Sequence, residues 1–332
     1  MKPRGTLLLK RDDVSAQLDL RECIENIENA FRQYAEGNSQ GTGLLHLESG
    51  EVEFHIKAGG LKLAQSYFAL KVNGSCFRNM QQFGLPNIMG VIVLFDGDTG
   101  YPLAVLDSIE ITIKRTGAAT AVAARLLANP GCHTATICGC GNQGRIQLEA
   151  LKEVLPLERV FAYDADSTRA KKYAEEMSLK LPVEIVPEAD LRKALYQSGV
   201  VVTCTPSRKF FLAEGYVRPG TFVAAVGADS PEKQEIEPSL IANNKVVVDL
   251  LDQCARVGEL HHALEAKLIT VQDVHAELGE IIIGKRPGRI SEEEIIVYDA
   301  TGTALQDVAT AALCYEKAMS SGGGSLLDFF PS

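Results

Sequence analysis

The chain has 332 residues, which at roughly 150 residues per domain predicts two domains. It is 46% hydrophobic and 23% charged, as in a chain that buries a large core without disulfides or a structural metal. Lys and Arg total 33 against 43 Asp and Glu, a net charge of −10, which argues against a nucleic-acid partner or an anionic membrane surface. No apolar run is long enough to span a membrane, and the run Leu7-Leu8-Leu9 is too short for a signal peptide. A cytoplasmic location is expected.

A short strand is predicted at 6–10, then a helix at 20–34, where Ile24, Ile27, Phe31 and Tyr34 share one face and Gly37 suits the stop. Strands follow at 52–58, where apolar and polar residues alternate, and at 66–72 and 88–95. Asp96-Gly97-Asp98-Thr99-Gly100 turns the chain into a strand at 101–106, and a helix at 110–128 ends at Asn129-Pro130-Gly131. The first 130 residues therefore read as an antiparallel sheet with helices. After Gly131 short apolar strands alternate with helical stretches, at 134–138, 159–163, 183–186, 200–204, 221–226 and 246–250, the pattern of a parallel sheet covered on both faces. A last strand at 295–299 precedes a helix at 304–319. The tail from Ser320 reads as mobile at its start, with Leu326, Leu327, Phe329 and Phe330 available to dock.

Eight cysteines are scattered with no C-x-x-C pair and no zinc spacing, so no metal centre is expected. They read as small apolar residues, Cys140 being the one placed where a helix N-terminus would activate a thiol. Gly139-Cys140-Gly141-Asn142-Gln143-Gly144 is a G-x-G-x-x-G between the strand at 134–138 and a helix starting near Arg145. In that context the glycines allow a tight turn and the helix N-terminus offers free N–H groups to a pyrophosphate. Asp164, at the end of the next strand, lies 25 residues beyond Gly139, near the offset of an acid that binds the adenosine ribose. Its charge favours NAD over NADP; Arg169, Lys171 and Lys172 nearby weaken that preference.

Three stretches offer groups for a small acid. Lys71 sits in an apolar strand, a cation for a carboxylate or a lysine at a solvated edge. Arg115, beside Lys114, has the planar fork a carboxylate fits, or lies on a solvated helix face. Asp229 follows the strand at 221–226, where ligands bind in open α/β sheets, or caps a turn.

Together these stretches resemble the ornithine cyclodeaminase/mu-crystallin family. The resemblance runs from about 67 to 310 through Lys71-Val72-Asn73, Gly84-Leu85-Pro86-Asn87, Arg115-Thr116-Gly117, Gly139–Gly144, Gly227-Ala228-Asp229, Glu277-Leu278-Gly279, Asp299-Ala300-Thr301-Gly302 and Gln306-Asp307. It implies an α/β fold: a Rossmann-type doubly wound parallel sheet at 131–303, plus an α+β substrate and dimerisation domain formed by 1–130 with 304–332. It further implies a homodimer, an active site in the cleft between the domains, and hydride transfer between NAD(H) and the α-carbon of a small amino or imino acid. Lys71 and Arg115 would hold the carboxylate and Asp229 would handle protons, making Asp229 and Lys71 the catalytic pair. Arg115, Thr116, Thr205, Val226, Gly227, Thr301 and Gly302 would join the glycine turn around the cofactor.

One departure stands out. Family members that process ornithine or alanine carry a further carboxylate-binding Arg upstream of the lysine, and no Arg occurs between Arg32 and Arg78. His46 and Lys57 are the candidates to replace it, while His55 reads equally as a hydrogen-bonded sheet residue. A redox-neutral cyclodeaminase, a net dehydrogenase or ketimine reductase, and a non-catalytic NAD(P)H-dependent small-ligand carrier all remain open at this point.

Overall fold

The computed structural model describes residues 5–76 and 78–329; Phe330 lies outside them. In chain order they form β1 (Thr6–Leu9), α1 (Arg11–Gln17), α2 (Leu20–Ala35), β2 (Ser39–Ser49), β3 (Val52–Lys62), β4 (Ser66–Ser75), α3 (Asn79–Phe83), β5 (Ile88–Asp96), β6 (Pro102–Asp107) and α4 (Ser108–Leu127). Next come β7 (Thr134–Cys138), α5 (Asn142–Val154), β8 (Arg159–Tyr163), α6 (Ser167–Lys180), β9 (Glu184–Pro187), α7 (Leu191–Gln197), β10 (Val200–Thr203), β11 (Arg208–Leu212), β12 (Phe222–Ala225) and β13 (Gln234–Ile236). The remainder is α8 (Pro238–Ala242), β14 (Lys245–Val248), α9 (Leu251–Val257), α10 (Glu259–Glu265), β15 (Ala276–Glu277), α11 (Leu278–Ile282), β16 (Ile296–Asp299), α12 (Ala304–Ser321) and β17 (Ser325–Leu327). No helix among the described residues is long and apolar enough to cross a membrane.

The chain divides into two compact units, Met1–Arg115 with Thr303–Ser332, and Thr116–Gly302. The break falls inside α4 rather than at 130/131, where the sequence texture changes. Just past that break α4 comes close to α5: a Cβ on Gly117 would stand 2.9 Å from Ile146.

The first unit holds a seven-stranded sheet in the order β17-β1-β6-β5-β4-β3-β2. Its neighbours are antiparallel, as expected, except β1 and β6, which run parallel. Odd-numbered residues of β3 and β4 face inward and even-numbered ones outward, as the two-residue repeat requires. The inner face receives α12, an alanine-rich helix buried on nearly every side. The packing is close: a Cβ on Gly59 would stand 3.0 Å from the Ala304 Cβ.

Four elements of the first unit are absent from the sequence reading. α1 and α3 are two of them, and β2 is another, its Gly41 and Gly43 concealing the alternation at Leu45-His46-Leu47. The strand in the tail is the fourth, though its leucines are expected to dock. Leu326 and Leu327 add β17 to the sheet, Leu326 opposite Leu7, so the segment after Gly322 is ordered on β1.

The second unit is an eight-stranded sheet, β15-β14-β16-β12-β10-β7-β8-β9, with every neighbouring pair parallel. β10 and β12 are buried throughout and read as continuous apolar runs, as strands covered on both faces do. The chain leaves β7 to build β8 and β9 on one side, then returns to place β10 and β12 on the other. That reversal between β7 and β10 opens a crevice at the carboxyl ends of the strands.

Candidate active-site residues

In the first unit the antiparallel register sets Lys57 opposite Lys71 on the inner face. β4 is an interior strand, so Lys71 does not lie at an edge; it is 2% exposed. Its Nζ lies 2.6 Å from Asp307 Oδ2, and Arg115 Nε lies 3.3 Å from Asp307 Oδ1. Asp307 occupies the first turn of α12, where the helix dipole favours a carboxylate. Gln306 joins a capping box with Thr303, and its Oε1 accepts a 2.6 Å bond from Arg115 Nη1. α12 thus positions both acceptors. Lys114, the other member of the charged pair, instead donates to the Leu18 carbonyl at the end of α1 (2.6 Å).

Burial pushes the Lys71 amine down to about 7; Asp307 opposes the shift, while Arg115 and Lys57 add to it. Burial also raises the Asp307 carboxyl, but Lys71, Arg115 and Lys57 together hold it below its ordinary value. Asn73, next inward along β4, accepts at Oδ1 from the Ser108 hydroxyl (2.6 Å). Gly90 makes room for that bond, since a Cβ there would meet Asn73 Oδ1 at 2.2 Å. His46 does not join Lys57. The register pairs it with His55, one inward pair farther along.

In the second unit Gly139 has φ +107, a conformation open to glycine, and a Cβ on Gly144 would meet the Gly139 carbonyl at 2.1 Å. α5 begins at Asn142 rather than near Arg145, so Asn142, Gln143 and Gly144 form its first turn. Space beside Gly141 is open. These features fit a pyrophosphate at the helix N-terminus. Asp164 accepts from the Cys140 N–H (2.9 Å) and the Asp166 N–H (3.0 Å), fastening β8 to the turn. Burial, with Asp164 beside it, pushes the Cys140 thiol up to about 12, so the thiol is not activated.

Further residues gather at the carboxyl ends of the same strands. Glu235, fully buried, accepts from Thr205 N (2.6 Å), Thr205 Oγ1 (2.7 Å) and Gly227 N (2.9 Å), tying the end of β10 to the end of β12 just past Val226. Asp249, after β14, accepts from Gly302 N (2.7 Å) and Thr301 Oγ1 (3.0 Å) and fixes the turn after β16. Asp229 Oδ1 lies 2.5 Å from Lys233 Nζ, and the Lys233 carbonyl lies 2.7 Å from His262 Nε2. Thr116 follows Arg115 as the first residue of this unit.

The sequence reading assigned no role to Asp307, Glu235, Lys233 or Asp249. Asp307 stood in a recognised motif, and Asp249 directly follows a strand, so both carried a signal. Glu235, in a short strand away from any glycine turn, carried none.

A doubly wound parallel sheet with a glycine turn at its topological switch defines a Rossmann-type α/β protein. The chain belongs to the ornithine cyclodeaminase/mu-crystallin family, which it matches over residues 4–322. It is 38% identical to the alanine dehydrogenase of Archaeoglobus fulgidus over 328 residues, 98% of this chain and 99% of that one. An archaeal alanine dehydrogenase dimer with bound NAD superposes with a TM-score of 0.93 at 37% identity, covering 98% of this chain and 100% of that one. The Thermococcus litoralis Δ1-pyrroline-2-carboxylate reductase, in complex with NADH and L-proline, gives 0.92 at 33% identity over 97% and 100%.

Removing the shared carboxylate tests the first-unit group. Asp307→Asn leaves two buried cations without their anion, a change expected to cost about 3–5 kcal/mol. A melting temperature equal to that of the unaltered protein would contradict this account.

Proposed function

We propose that the protein is a net oxidoreductase moving a hydride between NAD(H) and the α-carbon of a small amino or imino acid, of the alanine or cyclic-imine type. The observation that carries this reading is the buried group in which two cations, Lys71 and Arg115, share the single carboxylate of Asp307. Such a group has positive charge to offer a second carboxylate, that of the substrate. Bidentate contact from Arg115 and a point charge from Lys71 would fix the α-carbon in one orientation. Lys57, buried across from Lys71, replaces the absent upstream Arg better than His46 does. The nicotinamide, when bound, accepts or supplies the hydride. Asp229, with Lys233 on its carboxylate, exchanges the proton at the substrate nitrogen.

The dinucleotide lies on the Gly139–Gly144 turn, with Asn142 and Gln143 at the helix N-terminus and Thr205, Val226, Gly227, Thr301 and Gly302 along the strand ends. Asp164 at the end of β8 supports NAD over NADP. Arg169 and Lys172 stand near acids of their own, Asp166 at 3.6 Å and Glu176 at 3.7 Å. Similarity to alanine dehydrogenase and to a pyrroline-2-carboxylate reductase supports net redox chemistry over cyclodeamination. The first unit, 1–115 with 303–332, would carry the substrate and dimer contacts, and residues 116–302 the dinucleotide.

A homodimer is supported by the outer face of β2–β5. There Leu45, Ile56, Val72 and Val91 stand in one register row, and Leu45 and Val91 are 50% and 46% exposed. An apolar row of this kind on a sheet already packed on its other face marks an interaction surface.

Absorbance at the NADH band tests the activity, with alanine, ornithine and pyrroline-2-carboxylate supplied in turn. NADH formed with alanine, or consumed with pyrroline-2-carboxylate, is the expected result. Ammonia released steadily from ornithine without NADH build-up would replace the reading by a cyclodeaminase, and bound NADH with no turnover would replace it by a carrier. A second measurement follows Lys71. Its ammonium is present below about pH 7 and lost above it, so affinity for a simple 2-oxo acid should fall as pH rises from 7 to 9. Lys71→Arg, which stays charged, should remove that dependence. Sedimentation of Leu45→Asp/Val91→Asp should give a monomer, and an undisturbed dimer would move the contact elsewhere.

A further inference from the structure

β2 and β3 form a hairpin whose register sets His46 opposite His55 and Glu48 opposite Glu53. Residues two apart on a strand share a face, so Glu53 emerges beside His55. The two imidazoles meet edge-on with ring centroids 4.5 Å apart. Glu53 Oε2 lies 3.6 Å from His55 Nε2, and one donor atom from each of His46, Glu53 and His55 lies within 4.8 Å of the others. His55 is buried, while the His46 and Glu53 side chains are 28% and 24% exposed, so the group has a dry floor and a wet side.

Two imidazoles and one carboxylate are a donor set for zinc and its neighbours in the first transition row, with a further position open to water or another ligand. Donors held about 2 Å from one zinc ion lie within roughly 4 Å of each other. Small side-chain rotations therefore bring these three onto a common ion. Glu48, with Oε1 3.9 Å from His46 Nε2, offers a fourth oxygen.

We propose that His46, Glu53 and His55 form a binding site for a divalent first-row transition ion. No spacing motif announces it, because the ligands meet only through the hairpin register. The ion would clamp the edge strand β2 to β3, and its binding requires neither substrate nor dinucleotide. In a second group, His261, His262 and Glu265, one donor atom from each likewise lies within 4.8 Å of the others. None of its three members is buried as His55 is, and Glu265 is exposed, so that group serves as the control.

Titration of the chelator-treated full chain with Zn2+ by calorimetry, and with Co2+ by visible absorption, tests the site. One equivalent per chain is expected, with a raised melting temperature in zinc. Binding should be lost in His46→Ala and in His55→Ala, weakened at least tenfold in Glu53→Gln, and unchanged in His261→Ala. No binding, or a site that disappears with His261 instead, overturns the proposal. Should the histidine variants fail to fold, the X-ray absorption spectrum of the zinc-loaded His261→Ala/His262→Ala protein, which lacks the control group, decides: outer-shell scattering from two imidazoles supports the site, and its absence refutes it.

Discussion

Two cations and one carboxylate are withdrawn from water where β4, α4 and the start of α12 meet, and much of the first unit is arranged to make that tolerable. Each ion alone would carry a desolvation cost of several kcal/mol. Together they are held by hydrogen bonds and by position. The capping box at Thr303 and Gln306 sets the first turn of α12, the helix dipole favours Asp307, and Gln306 gives the Arg115 guanidinium a second acceptor. The outcome is an amine, Lys71, balanced between charged and neutral near physiological pH. Perturbed groups of this kind are concentrated at functional sites.

The second unit meets a different constraint with the same device. Turns at the carboxyl ends of parallel strands have backbone N–H groups that point away from the ladder and need acceptors. Buried carboxylates supply them: Glu235 for Thr205 and Gly227, and Asp249 for Gly302; Asp299 does the same for Leu260 at the start of α10. Burial raises Glu235, and pushes Asp299 up to about 7. The turns are thus fixed from inside the sheet.

Much of this was legible from local pattern. The glycine turn, the alternation of strand and helix after Gly131, and the types of residue at Lys71, Arg115 and Asp229 all carry their meaning within a few positions. What stayed hidden depends on contacts distant in sequence. Lys71 in an apolar strand looks the same at an edge or in the interior; only its place between β3 and β5 decides. Asp307 could not be assigned until α12 was known to return to the inner face of the first sheet. β2 was obscured by glycines, and the start of α5 by the glycine turn that forms its first residues. The histidine pair is a property of register, which no one-dimensional spacing records.

The first unit is assembled from both ends of the chain, and β17 closes against β1 only after α12 has been made. Residues 116–302 are continuous. During synthesis on the ribosome, the parallel sheet can therefore fold while the first sheet still lacks the helix that covers its inner face and the acid that steadies Lys71 and Arg115. Until the last thirty or so residues emerge, that surface stands open to water, and exposed apolar surface of this kind is where folding intermediates aggregate.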